Sequence, residues 1–262
     1  VVHALHHPPE EILRSAYRRY WRLWKNAPLV ADGILTVSRH TQDHIQALYG
    51  KDSYIVGNGL ERDILNTPKD LSLRESLGWK PDQPVLVYVG SLTRRKGLEV
   101  LFEAFAGLKK RYPEALLAIV GGGYQPYFRS LATGFGLGED IHWAGPVSRK
   151  RLIQYLDAAT VFCFPSHSEG FGIPPLEAMA RGVPVVLTDS GGVREYVRPA
   201  ENCLMVATGD SGAFQIALEK ILDQAALAQS LARQGQACAA RFTWETVAEK
   251  TELAFEEILQ KS

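Results

Sequence analysis

Short unbroken apolar runs alternate with stretches of helical spacing along most of the chain. Val85 to Val89 is a continuous apolar run stopped by Gly90, and reads as a strand. Leu98, Leu101, Phe102, Phe105 and Leu108 then recur at helical spacing and predict a helix over 98–111. Leu116 to Val120, Ile141 to Trp143, Thr160 to Phe164, Val183 to Leu187 and Leu204 to Val206 read as further strands. This alternation predicts an α/β fold with a parallel sheet. Unbroken apolar runs belong to strands covered on both faces. Right-handed crossovers bring the carboxyl ends of such strands to one edge of the sheet, where ligands bind. Glycines and polar residues collect at those ends: Gly90-Ser91, Gly121 to Gly123, Gly145, Ser166 to Gly172 and Ser190 to Gly192.

The first 60 residues read as a separate piece. Val1 to Leu5 predicts a strand and Glu10 to Asn26 a helix. Gly33 to Val37 predicts a strand, Ser38 a helix cap, and the following residues to Tyr49 a helix. Tyr54 to Val56 is a third short strand before Gly57-Asn58-Gly59. So few strands make no stable α/β domain alone. Residues 1–60 are therefore expected to be the end of an incomplete domain, although an extension of the larger sheet fits the same pattern. Residues 61–82, rich in charge and holding Pro68 and Pro81, read as an interdomain linker, and 83–243 as the main domain.

Composition narrows the function. Of the 262 residues, 46% are hydrophobic and 22% charged, which suits a chain that builds a core without disulfides or a structural metal. Lys+Arg and Asp+Glu both total 29, so bulk nucleic-acid binding is not indicated. No apolar run approaches the roughly 20 residues of a membrane span. Cys163, Cys203 and Cys238 are widely spaced and predict neither a disulfide framework nor a metal site. A cytoplasmic setting is expected.

Two segments carry candidate chemistry. Pro165-Ser166-His167-Ser168-Glu169-Gly170-Phe171-Gly172-Ile173-Pro174-Pro175-Leu176-Glu177 joins a strand end to a helix. Gly170 and Gly172 allow close backbone approach to a ligand, and the prolines suit a first helical turn. Free N–H groups there favour phosphate. Glu169 on the loop and Glu177, expected in the first turn, can accept hydrogen bonds from sugar hydroxyls; helix-dipole complementarity is the other account of Glu177. Gly90-Ser91-Leu92-Thr93-Arg94-Arg95-Lys96-Gly97 places three cations before a helix, where the dipole disfavours them unless a bound polyanion offsets it. Gly121-Gly122-Gly123 is neither a dinucleotide fingerprint nor a Walker loop.

These segments, together with Trp143-Ala144-Gly145-Pro146-Val147, Glu177-Ala178-Met179-Ala180, Gly182-Val183-Pro184-Val185-Val186 and Gly191-Gly192 followed by Glu195, resemble the retaining nucleotide-sugar glycosyltransferases of family 4. The resemblance runs from about Tyr54 to Trp244. It implies the GT-B fold: a Rossmann-like doubly wound parallel sheet as the nucleotide-sugar-binding C-terminal domain, facing a second Rossmann-like domain that is incomplete here. Residues 244–262, after Phe242-Thr243, would form the helix that crosses back to that domain.

The resemblance also implies roles. Lys96 would neutralise the donor pyrophosphate, Glu169 would contact the sugar hydroxyls, and Glu177 would bind the ribose. The backbone of Phe171, Gly172 and Ile173 would hold sugar and phosphate, and the Gly145–Val147 loop would touch the base, with Gly90 and Gly122 lining the site. The family's usual arginine after the first glycine is Ser91 here. A second pyrophosphate cation would then be Arg95 or Arg94, with Arg95 favoured. The resemblance implies a metal-independent hexosyltransferase without cofactor, using a UDP- or GDP-sugar, and the absence of an Asp-x-Asp motif is consistent with that. The acceptor would be a glycan or a lipid-linked hydroxyl.

Val2-His3-Ala4-Leu5-His6-His7 ends a predicted strand, and the resemblance makes His6 the choice over His7 for a residue near the reacting sugar. His40 and His44 are four apart but lack the zincin glutamate, and a solvated pair is expected. His167 either lines the donor pocket or stands on a surface loop. The helix over 10–26 segregates Ile12, Leu13, Tyr17, Tyr20, Trp21 and Trp24 from Arg14, Arg18, Arg19, Arg22 and Lys25. Such a helix suits an anionic membrane surface, which would place the protein peripherally at the inner face, or packs its apolar face on a sheet. A second chain supplying the rest of the first domain is a further expected partner. Rival functions are a nucleotide-sugar epimerase of the same fold, and a non-catalytic nucleotide-sugar-binding subunit of a split enzyme.

Overall fold

The computed structural model describes residues 27–261. The described residues divide into two compact units, one of residues 60–241 and one that joins 27–59 with 242–261. The predicted strand at Val1–Leu5, the helix over 10–26 with its two faces, and His6 lie outside the described residues.

The larger unit is built on six parallel strands: β3 Val85–Val89, β4 Leu116–Val120, β5 Ile141–Gly145, β6 Val161–Phe164, β7 Val185–Thr188 and β8 Leu204–Val206. Their spatial order is β5-β4-β3-β6-β7-β8. The chain thus winds outward from β3 in one direction, then returns to β6 and winds outward in the other. This is the Rossmann-like doubly wound sheet expected from the sequence. Its switch point lies between β3 and β6, and in open sheets of this kind ligands bind at that point, outside the carboxyl ends of the strands. Leu86 and Val87 of β3 pair with Val161 and Phe162 of β6 across it. The central strands are apolar because both faces are covered: Val85 to Tyr88 and Val161 to Phe164 are fully buried.

Helix α4 (Leu98–Lys109) sends Leu98, Leu101, Phe102, Phe105 and Leu108 into this core and packs on α8 (Ser211–Asp223). Helix α7 (Ile173–Ala180) packs on α9 (Ala225–Ala239). Between β4 and β5, Ile119 pairs with Trp143 but Val120 with Gly145. Ala144 is therefore an extra residue, a bulge that re-aims the chain just before Pro146 and Val147.

Residues 61–82, read from sequence as a linker, are folded against the sheet unit. They carry two short helices, α2 (Arg62–Asn66) and α3 (Ser72–Ser76). Ile64 and Leu73 are fully buried and Trp79 nearly so. Arg74 donates to the carbonyls of Ala158 at 2.9 Å and Gln83 at 2.9 Å. Arg181 is buried and grips both carboxylate oxygens of Asp157 at 2.8 Å, while its remaining nitrogen reaches the carbonyls of Ile64 at 3.1 Å and Thr67 at 2.7 Å. The polar groups of this stretch thus serve in part as hydrogen-bonded anchors to the sheet unit.

In the smaller unit β1 (Leu35–Thr36) pairs in parallel with β2 (Tyr54–Ile55). Ser38 caps α1 (Arg39–Tyr49): its hydroxyl accepts from the Thr41 N–H at 3.0 Å, and the Thr41 hydroxyl accepts from the Ser38 N–H at 3.0 Å. Helix α10 (Trp244–Lys261) completes the unit; a Cβ at Gly33 would stand 2.2 Å from the Ile258 side chain, so the small residue makes room for this helix.

Candidate functional site

The loop after β3 and the loop after β6 flank the switch point, and they are locked to each other. Residues Arg94–Lys96 form a single 3-10 turn, and Gly97 then opens α4 in the left-handed region at φ +65°. A side chain there would place its Cβ 2.1 Å from the Pro165 carbonyl oxygen, so only glycine lets the two loops approach this closely. The His167 N–H donates to the Arg95 carbonyl at 2.9 Å across the same seam.

This approach brings Lys96 and Glu169 together. The Lys96 amino group donates to Glu169 Oε1 at 2.6 Å, and the Ser166 hydroxyl donates to the same oxygen at 2.6 Å. Both ionic groups are over nine-tenths buried, at 8% and 6% exposure. Lys96 also lies over the Phe164 ring, 5.3 Å from its centre. Burial holds the Lys96 amino group below the usual lysine range, and Glu169 opposes that shift. The negative charge that offsets Lys96 within the protein is thus Glu169, which removes the conflict with the helix dipole that a cation there creates without a bound polyanion.

Arg95 and Arg94 diverge. Arg95 reaches Glu169 Oε1 at 3.3 Å and donates to the Ser168 carbonyl. Arg94 turns away and stacks 5.4 Å from the ring centre of Tyr127. Ser91 is exposed, and its carbonyl accepts from the Tyr88 hydroxyl at 3.0 Å. The Gly90 N–H donates to the Val120 carbonyl and the Leu92 N–H to the Gly122 carbonyl, which fixes these two glycines side by side at the ends of β3 and β4.

The acidic loop is held on its other side by the segment after β7. The Glu169 N–H donates to the Ser190 carbonyl at 2.8 Å, and the Gly192 N–H to the Glu169 carbonyl at 3.0 Å. Phe171 is buried against Tyr196, whose hydroxyl donates to the Gly172 carbonyl. Gly172, at φ +83°, turns the chain into α7, and Ile173 is partly exposed at the helix start. Pro174 and Pro175 sit in the first turn as expected.

Glu177 is not in that first turn. It stands one turn further along α7, so dipole complementarity does not account for it. Its partner is Arg149, at the start of α6 (Arg149–Ala158), which follows Val147 and the Ser148 cap. One guanidinium nitrogen of Arg149 donates to Glu177 Oε1, and Nε lies 3.2 Å from Asp63 Oδ1 on α2. Burial pushes the Glu177 carboxyl above the usual range, and Arg149 opposes the shift. Sequence reasoning missed Arg149 and Asp63. The signal was present: a cation opening a helix, the argument that singled out Arg94 to Lys96, applies equally to Arg149.

The remaining histidines take simple places. His167 pairs with Glu99 at 2.9 Å and is part-exposed. His40 and His44 face each other at 5.9 Å between ring centres. No cluster of three or more metal-ligating side chains occurs among the described residues. No described helix is long and apolar enough to cross a membrane.

Residues 70–237 match the family described as glycosyl transferases group 1. The chain belongs to that family. This group 1 glycosyl transferase is 30% identical over 234 residues to D-inositol 3-phosphate glycosyltransferase 2 of Catenulispora acidiphila, an alignment covering 84% of this chain and 55% of that protein. It is also 30% identical to a phosphatidyl-myo-inositol mannosyltransferase of Mycobacterium leprae, over 93% of this chain and 63% of the relative. Among solved structures, sucrose-phosphate synthase from Thermosynechococcus elongatus superposes with a TM-score of 0.82 at 26% identity, covering 97% of this chain and 64% of that one. The group 1 chain spans about half the length of the first curated relatives it matches.

Proposed function

We propose that residues 83–243 bind the donor of a retaining family 4 transferase, which moves a hexosyl group from a UDP- or GDP-sugar to a hydroxyl of a glycan or lipid-linked acceptor. The observation that carries this reading is the buried Lys96–Glu169 pair at the switch point of the sheet, 2.6 Å apart. A buried ion pair is weakly stabilising at best, and its position at the ligand edge favours a functional account. The two relatives at 30% identity bear names that place inositol-containing acceptors on those proteins, which supports a hydroxyl acceptor here.

In this reading the bond between the anomeric carbon and the diphosphate breaks, and the acceptor oxygen bonds to that carbon on the same face. The departing phosphate takes the acceptor's proton. Charge grows on the diphosphate as the bond breaks. Lys96, Arg95 and the N-terminus of α7 are fixed before the reaction, so they stabilise that charge without reorganising, typically the largest contribution to catalysis. Glu169 accepts hydrogen bonds from sugar hydroxyls and holds Lys96 in place. Glu177 binds the ribose, the Gly145–Val147 loop meets the base, and Gly90, Gly122 and Phe171–Ile173 line the donor. Residues 10–26, with their basic and aromatic positions, are proposed to form a helix that meets an anionic membrane surface, and His6 is proposed to stand near the sugar.

Calorimetric titration of the chain with UDP and GDP tests the donor site. Micromolar binding of at least one is expected. Binding of neither, by a sample folded on circular dichroism, overturns the reading.

A further inference from the structure

Among the described residues, two buried side-chain polar atoms have no hydrogen-bond partner: Nη2 of Arg149 and Oγ of Ser190. An unpaired buried donor is costly, and its presence in a site is a reason to look for a ligand atom that completes it. Arg149 is the more informative of the two. It opens α6 directly after the loop assigned to the base, its Nη1 is bonded to Glu177, and its Nε is shared between Asp63 Oδ1 at 3.2 Å and Oδ2 at 3.3 Å. Three elements of separate sequence origin therefore meet on one guanidinium: α2 through Asp63, α6 through Arg149, and α7 through Glu177.

Resting on the donor-site reading above, we infer that Arg149 positions Glu177 for the ribose and offers its unpaired Nη2 to an acceptor oxygen of the nucleoside. A guanidinium suits this bridge because its planar fork engages two carboxylates and still presents a further N–H in a fixed direction. A lysine ammonium would hold one carboxylate without that geometry. Asp63 matters because it takes the opposite side of the fork and stops Arg149 from folding wholly onto Glu177. The ligand class that completes the arrangement is a nucleoside with ribose hydroxyls and a base carbonyl oxygen, as in uridine or guanosine nucleotides. Pyrophosphate alone would not sense Arg149, because the cations Lys96 and Arg95 belong to the other end of the site.

The charged groups acting on Glu177 are Arg149, which favours its ionised form, and Asp63 and Glu61, which disfavour it together with burial. Loss of Arg149 leaves the last three unopposed, so the carboxylate would be lost at higher pH than in the native chain. UDP affinity would then weaken as pH falls.

The test is calorimetry of wild type, R149Q and R149K with UDP and, separately, with inorganic pyrophosphate, from mildly acid to mildly alkaline pH. R149Q is expected to bind UDP about tenfold more weakly at neutral pH, to lose further affinity on acidification, and to bind pyrophosphate within about twofold of wild type. R149K is expected to keep the wild-type pH profile while binding UDP several-fold more weakly. If R149Q does not fold, R149K decides by the same contrast between UDP and pyrophosphate. UDP affinity within about twofold of wild type in the folded variants, or equal loss for UDP and pyrophosphate, overturns the inference and leaves the donor-site reading standing. Failure of wild type to bind UDP or GDP overturns that reading itself.

Discussion

The Lys96 amino group and the Glu169 carboxylate lie 2.6 Å apart although 73 residues separate them in the chain. Each comes from a loop that closes one of the two central strands, so the contact exists only because β3 and β6 are neighbours in the sheet. Ser166 and Arg95 complete the surroundings of the same carboxylate oxygen.

Replacing one member of this pair strands the other. Lys96→Met is expected to destabilise the fold by about 3 kcal/mol, since an uncompensated buried carboxylate is worse than an absent pair, with Arg95 softening the loss. Glu169→Gln keeps the shape and is expected to lower sugar transfer by about two to three orders of magnitude, on the scale of one transition-state contact. Urea denaturation and a product assay by mass check these separately; wild-type transfer by E169Q would exclude Glu169 from the chemistry.

Gly97→Ala tests the seam between the two loops. An alanine would sit at φ +65° with its Cβ 2.1 Å from the Pro165 oxygen, so the loops must part. A loss of at least about 2 kcal/mol is expected from strain and displacement, together with weakened nucleoside diphosphate binding. Thermal melting and calorimetry report the two effects, and an unaltered melting temperature would mean that the loops do not pack as described.

Asp157→Ala leaves Arg181 buried without its counter-ion and is expected to cost about 3–5 kcal/mol. The double change Asp157→Leu with Arg181→Met is expected to recover much of this, because it removes both desolvation penalties. Equal destabilisation by the single and double variants, measured in urea, would contradict that assignment.

Acid stability has a named contributor. Hydrogen bonds from Ser72 and Gln154 hold the Asp70 carboxyl at about 2, against an ordinary 3.8. A folded value below the unfolded one means stabilisation that is complete above pH 3.8 and disappears as pH falls toward about 2. Asp70→Asn is therefore expected to flatten the stability profile over that window, and an unchanged slope in acid unfolding would remove Asp70 from the account.

The sheet was legible because its strands announce themselves. Val85–Val89 and Leu116–Val120 are apolar throughout, being covered on both faces, and each ends at a glycine. The two glutamates and the lysine were legible as candidates because their loops follow such strands. Three things were not. Glu177 was placed a turn too early, since Pro174 and Pro175 suggest a later helix start than Ile173. Residues 61–82 looked like a linker because the partners of Arg74 and Asp70 (Ala158, Gln154 and Asp157) lie 84 to 87 positions further on, and local polarity does not distinguish such anchors from a wet surface. Arg149 was overlooked because no spacing links it to Glu177 28 residues on, or to Asp63 86 residues before.

The packing of α2 on α7 and of α3 on α6 bears on how this protein can be cut. A fragment begun at Pro84, where the first long strand starts, would discard Asp63, strip the carbonyl partners from Arg181 and uncover the surfaces that Ile64, Leu73 and Trp79 now shield. Excision upstream of Leu60 keeps all of these in one polypeptide, so the natural seam for dissection lies some two dozen positions earlier than strand boundaries alone would recommend.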